Sequence, residues 1–345
     1  MPAGMYLRSA CDWHYDALGV DTIDAYLREQ GKTPKDVEPL SLDFYLGYPE
    51  WFIARKHIKS TRQVVTSLNT APAGRYRAAF EDGSEMTCSN VAVAVGFVYF
   101  TSVPSDIAAM LPSEGYGHTC DRVRLERCAG KRVLVIGGRQ SAFEWAALLA
   151  EAGARKVHVS YRHETPSFAR SDWSWAQPLL DHMIDDPAWF RSLPAAEKEN
   201  VSRRFWSEGR LKLEPWLAAR IEVDSVRLWP NTRVAGAVST VSGSMNVAFD
   251  TGQRIEVDQV IFATGYAVDI RRVPFLAKGN ALQLVNVRDG FPVLDTRFQT
   301  SSGGLFITSM PATRDFGPFF GFTMAVRTSA RLIGDAVAAR LAMEH

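Results

Sequence analysis

The run from Lys131 to Arg162 constrains this chain more than any other segment. Its apolar residues Val133-Leu134-Val135-Ile136 meet Gly137-Gly138-Arg139-Gln140-Ser141-Ala142, and an Ala- and Leu-rich stretch follows to Ala152. Apolar run, glycine punctuation and helix formers predict a strand, a tight turn and a helix, with Gly153 as the C-cap. Lys156-Val157-His158-Val159-Ser160-Tyr161 then reads as a second strand. Parallel strands need a crossover, and a right-handed strand–helix–strand unit supplies it. The turn leaves backbone N–H groups at the positive end of a helix, where a pyrophosphate would sit.

The glycine pattern departs from G-x-G-x-x-G, because the central glycine is Arg139 and the last is Ala142. A central glycine lets the backbone approach the pyrophosphate, and alanine at the last place still permits close helix packing. Arg139 must send its side chain outward, either to clamp phosphate oxygens bidentately or simply into water. Gly137, Gly138, Arg139, Gln140 and Ser141 are therefore candidate cofactor-binding residues. At the end of the second strand, NAD sites place a carboxylate on the ribose hydroxyls. This chain has Ser160-Tyr161-Arg162-His163, with Glu164 following. Arg162 would attract a 2′-phosphate, so NADPH is expected over NADH.

An internal repeat supplies a second constraint. Phe80-Glu81-Asp82-Gly83 opens a hairpin-type turn and leads into Val91-Ala92-Val93-Ala94-Val95-Gly96. Phe249-Asp250-Thr251-Gly252 does the same before Val260-Ile261-Phe262-Ala263-Thr264-Gly265, with Phe, Gly and Gly at the same spacing. Two related nucleotide-binding units are expected. The second has its glycine turn at Gly137. Upstream of Gly96 lie Gly4, Gly19, Gly31, Gly47, Gly74 and Gly83, and no two of them make G-x-G. Between His163 and about Ile221, five tryptophans and three prolines predict short amphipathic helices, either capping a substrate channel or packing against the sheets. A strand at Leu305-Phe306-Ile307-Thr308 and a final helix to about Met343 read as a return to the first domain.

Composition narrows the class of partner. With 39 basic and 38 acidic side chains the net charge is +1, too even to hold a nucleic-acid backbone or an anionic membrane, so the expected partner is a small molecule. The four cysteines form no C-x-x-C pair, which disfavours zinc fingers and dithiol reductases. No paired histidine spacing, H-E-x-x-H or G-x-S-x-G is present, so no metal site is expected and no catalytic acid or base is assigned. The apolar run Val91 to Ser105 is short of a membrane span, and Arg8 and Asp12 interrupt any leader. Cytoplasmic residence follows as an expectation.

The Gly137–Ala142 turn, the Phe262-Ala263-Thr264-Gly265-Tyr266 run, Val95-Gly96 and His118-Thr119 together resemble the class B flavin-dependent monooxygenases. The opening Met1-Pro2-Ala3-Gly4-Met5-Tyr6-Leu7-Arg8-Ser9 is similar to the branch named for FAD-dependent urate hydroxylase and amino-acid N-hydroxylase. The resemblance implies an α/β fold of two Rossmann-like three-layer domains, with the NADPH domain inserted in an FAD domain. Residues 1–125 and 271–345 would form the FAD domain, and residues 126–270 the NADPH domain with its helical insertion at about 164–221. It further implies FAD and NADPH as cofactors, dioxygen and a small electron-rich molecule as substrates, and hydride transfer to flavin followed by oxygen-atom transfer. Thr264, Gly265, Arg8, Gly96, Pro318 and Phe319 join the cofactor-binding candidates on this ground. The family's FAD turn lies on its very first strand, which this sequence lacks, and of F-x-G-x-x-x-H only His118 is matched, with Pro112 and Glu114 in the other fixed places. An incomplete FAD site and a start set too late are expected; the alternative is a non-catalytic NADPH-binding protein that has lost flavin.

Overall fold

The structure, a computed structural model, describes residues 2–112, 115–121, 124–241 and 243–343. Met1 of the opening run and Glu114 of the partial histidine signature lie outside the described residues. The chain divides into two compact units. Unit 1 comprises Met1–Arg8, Thr101–Asp172 and Trp206–Ala267; unit 2 comprises Ser9–Phe100, Trp173–Phe205 and Val268–His345. These units divide the helical insertion: residues 164–172 and 206–221 belong to unit 1 and residues 173–205 to unit 2. Residues 101–125 also fall in unit 1. The reason is a strand, Tyr116–His118, that pairs with Gln259–Phe262.

Unit 1 is built on five parallel strands. In chain order they are β1 (Tyr116–His118), β2 (Arg132–Ile136), β3 (Lys156–Ser160) and β4 (Val226–Trp229), then, after a meander of β5 (Val234–Ser239), β6 (Met245–Phe249) and β7 (Arg254–Val257), β8 (Gln259–Phe262). The sheet order is β4-β3-β2-β8-β1, with every neighbouring pair parallel. Helix α1 (Gln140–Glu151) crosses from β2 to β3, as the sequence predicts. Strand β2 is buried on both faces, and alternate residues serve different layers. Val133 and Val135 pack with Ala142, Phe143 and Ala146 of α1. Leu134 and Ile136 pack with Val247, Phe249 and Trp229 on the side of the meander. A helix layer, a parallel sheet and an antiparallel layer result, the arrangement a continuous apolar strand requires.

Unit 2 repeats part of this plan. Val65–Ala71, Arg75–Phe80 and Glu85–Cys88 form an antiparallel meander. Its first strand carries a register shift between Val65 and Ser67, and β5 carries one between Val234 and Gly236. Both hairpins turn through a glycine of positive φ, Gly83 at 83° and Gly252 at 84°. Val91–Val93 then pairs in parallel with Leu305–Ile307. Among the described residues that sheet has two strands. The helices Ile23–Glu29, Leu42–Arg55 and Val326–Met343 complete the unit, the first two capped by Thr22 and Ser41 side chains. Trp173 packs on Phe205 at 5.3 Å and Trp175 on Phe319 at 5.5 Å, so these two tryptophans fill an aromatic core. No helix of the described residues is long and apolar enough to cross a membrane.

Candidate functional site

The site in unit 1 forms where β2 ends. Gly137 has φ 147°, and a Cβ there would meet the Ala263 carbonyl oxygen at 2.4 Å. At Gly138 a Cβ would meet Tyr161 at 2.5 Å and His163 Nε2 at 2.7 Å. Both glycines are thus required by the packing of β2 against the ends of β3 and β8. Arg139 occupies the N-cap of α1 with extended backbone, and no side chain caps the helix. The first-turn N–H groups of Gln140 and Ser141 are left for an acceptor from outside the chain.

Arg139 is half-buried, and its guanidinium carries no ion pair or side-chain hydrogen bond among the described residues. Burial pushes its pKa down, the expected direction for a charge held without a counter-ion. Gln140 accepts at Oε1 from Glu214 N at 3.0 Å, while its Nε2 is buried without an acceptor. Ser141 is exposed. A ligand oxygen at the turn would satisfy the orphaned amide and face the unpaired guanidinium. The donor set therefore fits a dinucleotide phosphate.

Arg162 follows β3 and is exposed. The neighbouring carboxylate does not compete with it, because Glu164 Oε1 accepts from Asn231 Nδ2 at 2.7 Å. His163 lies over Gly138 and contacts the Glu164 carbonyl through Nδ1 at 2.6 Å. Thr264 and Gly265 act differently from the turn residues. Thr264 Oγ1 donates to the Ser102 carbonyl, and the Gly265 carbonyl accepts from Ser102 N at 2.9 Å and lies 3.1 Å from His118 Nε2. They tie the segment entering unit 1 to the end of β8. His118 is buried, and its Nδ1 accepts the Cys120 N–H at 3.1 Å, so the ring is a neutral tautomer donating through Nε2. Burial lowers its pKa, against the raising effects of Asp121 and the Gly265 carbonyl. That is a satisfied structural histidine.

Arg8 is committed within unit 1. Its Nε pairs with Glu214 at 2.8 Å, its Nη1 donates to the Gly209 carbonyl and its Nη2 to Ser171 Oγ. In unit 2, Gly96 ends its strand at φ 62° with open space where a Cβ would project. Phe319 is fully buried in the aromatic core, and its ring is unavailable to a ligand. Pro318 lines an open cleft of about 460 Å³ with Lys198, Ser202 and Arg314. The candidates thus fall into two sets, one per unit. The reading from sequence missed Glu214 and the residues around it, which reach the turn from over 70 positions downstream with no local motif.

Comparison with known proteins follows this division. Residues 45–268 match the family model described as L-lysine 6-monooxygenase/L-ornithine 5-monooxygenase. The ornithine N-hydroxylase of Kutzneria sp. 744, solved with reduced FAD, NADP+ and L-ornithine, superposes with a TM-score of 0.78 at 15% identity, covering 99% of this chain and 88% of that one. The ornithine hydroxylase of Pseudomonas aeruginosa gives 0.72 at 17% identity, covering 97% and 87%. The L-lysine 6-monooxygenase of Pseudomonas syringae gives 0.67 at 17%, covering 98% and 87%. These likenesses establish the fold. A FAD-dependent urate hydroxylase of Xanthomonas campestris pv. campestris is 28% identical over 122 residues, 34% of this chain, and the chain spans about a quarter, 26%, of that relative.

Proposed function

The chain belongs to the L-lysine 6-monooxygenase/L-ornithine 5-monooxygenase family, and from that membership we propose an NADPH- and FAD-dependent monooxygenase that oxygenates a nitrogen of a small amine. The observation carrying the NADPH half is the uncapped α1 N-terminus beside an unpaired Arg139, with Arg162 free at the end of the next strand. NADPH supplies a hydride and FAD supplies the reaction with dioxygen. The protein's part on the nucleotide side is binding and orientation. Gly137 and Gly138 let the backbone close on the pyrophosphate, the Gln140 and Ser141 amides donate to it, and Arg139 adds a charge-assisted contact. Arg162 selects the 2′-phosphate.

Unit 2 offers a flavin dinucleotide no matching cradle among its described residues. Its parallel strand Val91–Val93 runs to Gly96 without a glycine-turn helix, and Phe319 is turned into the core. The flavin-side residues are accordingly proposed no further than Gly96 and Pro318.

The test is a titration of the Arg162→Ala variant. NADPH binding is expected to weaken by about 1.5–3 kcal/mol, the range for a hydrogen bond to a charged group, with NADH nearly unchanged. Equal losses for both nucleotides would move the 2′-phosphate site elsewhere.

A further inference from the structure

Resting on the NADPH reading of unit 1, we propose that Arg210 is a second arm of the pyrophosphate site, and that Arg8 and Glu214 are positioning residues that bring it there. The chain of contacts starts at α1. Gln140, its first residue, is held through Oε1 by the Glu214 backbone N–H at 3.0 Å. The Glu214 carboxylate is 5% exposed and accepts from Arg8 Nε at 2.8 Å and from Ser171 Oγ at 3.1 Å. Arg8 in turn donates to the carbonyl of Gly209. That carbonyl belongs to the peptide joining Gly209 to Arg210, so the strut from α1 ends one bond from Arg210.

Arg210 closes a single π-helical turn, Trp206–Arg210, with Leu211 N donating to Trp206 O at 2.9 Å. Such turns cost regular helix geometry and recur at functional sites. The guanidinium stacks over Trp206 at 4.7 Å, which fixes its plane and leaves its edge for hydrogen bonding. Burial lowers the Arg210 pKa, and the positive charges of Arg8 and then Arg139 lower it further. Like charges brought together away from water raise the energy of the ligand-free site, and an anion between Arg139 and Arg210 reverses the sign of that interaction. Arg139 caps α1 at the turn, so the anion is the bridging diphosphate. The 2′-phosphate belongs to Arg162 at the end of β3. On this account Arg8 is a strut within unit 1, and its value to binding passes through Gly209 and Glu214.

Calorimetric titration of the full chain with NADPH, NADH and 2′-AMP separates the roles, because 2′-AMP has the 2′-phosphate and no diphosphate. For Arg210→Gln we expect NADPH and NADH each to weaken by about tenfold or more, the effect of one lost charge-assisted contact, with their ratio kept. Binding of 2′-AMP should stay within about twofold, the scale of an uninvolved change, which also reports an intact unit 1. Arg210→Lys should recover part of the loss, and Glu214→Gln should weaken both dinucleotides in the same ratio-preserving way. Dinucleotide binding unchanged in Arg210→Gln overturns the proposal, as does a loss confined to NADPH or a parallel loss of 2′-AMP. If the unaltered chain binds neither dinucleotide, the NADPH reading falls, and this proposal with it.

Discussion

Units 1 and 2 each lead a bulged antiparallel meander into a parallel strand that runs toward a glycine of positive φ. In unit 1 that strand, β8, lies between β2 and β1, and the β2 neighbour carries the glycine turn and α1. In unit 2 the corresponding strand has Leu305–Ile307 as its partner among the described residues. Two copies of one local plan therefore differ in what surrounds the strand. The meander and the glycine are a scaffold; a dinucleotide site arises where a neighbouring strand delivers uncapped helix amides and an unpaired cation to the same edge.

The broadest way to break this contrast is a cofactor-retention experiment. Residues 1–345 mixed with excess FAD and desalted should emerge without a flavin spectrum, whereas NADPH should titrate onto the same preparation. A stoichiometric yellow protein would remove the distinction between the units. Next in size is Gly137→Ala. Its Cβ would meet the backbone oxygen of Ala263 at 2.4 Å, and overpacking of this kind costs about 1–3 kcal/mol with φ strain in addition. Denaturant melts should record that loss together with lost NADPH binding.

A pH experiment addresses unit 1 by itself. His158 on β3 is buried, accepts from Trp229 Nε1 at 3.0 Å, and has its pKa pushed down to about 4 by burial, then by Lys156, Arg227 and Arg132. The unfolded chain takes up this proton near 6.5, so its neutral-form stability is present above that pH and is lost as pH falls toward 4. The span corresponds to about 3 kcal/mol at most. Unfolding free energies measured from pH 7 to 4.5 should fall along this window, and His158→Gln should flatten the slope. The smallest expected effect is a matched pair. Gly96 and Gly265 have φ 62° and 82° and open space where a Cβ would go, so alanine at either should cost about 1–2 kcal/mol from backbone conformation alone. Unequal costs would mean that the two copies are not equivalent.

Much of unit 1 was legible in the sequence because its signals are local. Val133–Ile136, the glycines at 137 and 138, and the helix to Glu151 are contiguous, and strand burial and close turn packing follow from residue type. The repeat was legible for the same reason, since Phe80–Gly83 and Phe249–Gly252 each specify a hairpin within a few residues. Arg139 was readable only halfway. Its departure from glycine is plain, but whether it has a counter-ion depends on groups far along the chain.

What the sequence alone determined, then, is the parallel strand–turn–helix unit, its repeat partner and an arginine in place of a carboxylate after β3, all fixed by short-range sterics and hydrophobic periodicity. Tertiary structure decided the rest. Arg8 reads in sequence as an arginine near the start, and folding pairs it with Glu214, 206 positions away. Phe319 reads as part of a glycine-rich turn, and packing against Trp175 and Phe205 buries it. Arg210 has no motif at all, and its place beside Arg139 exists because a π turn and an ion pair bring distant segments to one helix end. Pairing of charges and burial of rings are sums over long-range neighbours, and no window of sequence contains them.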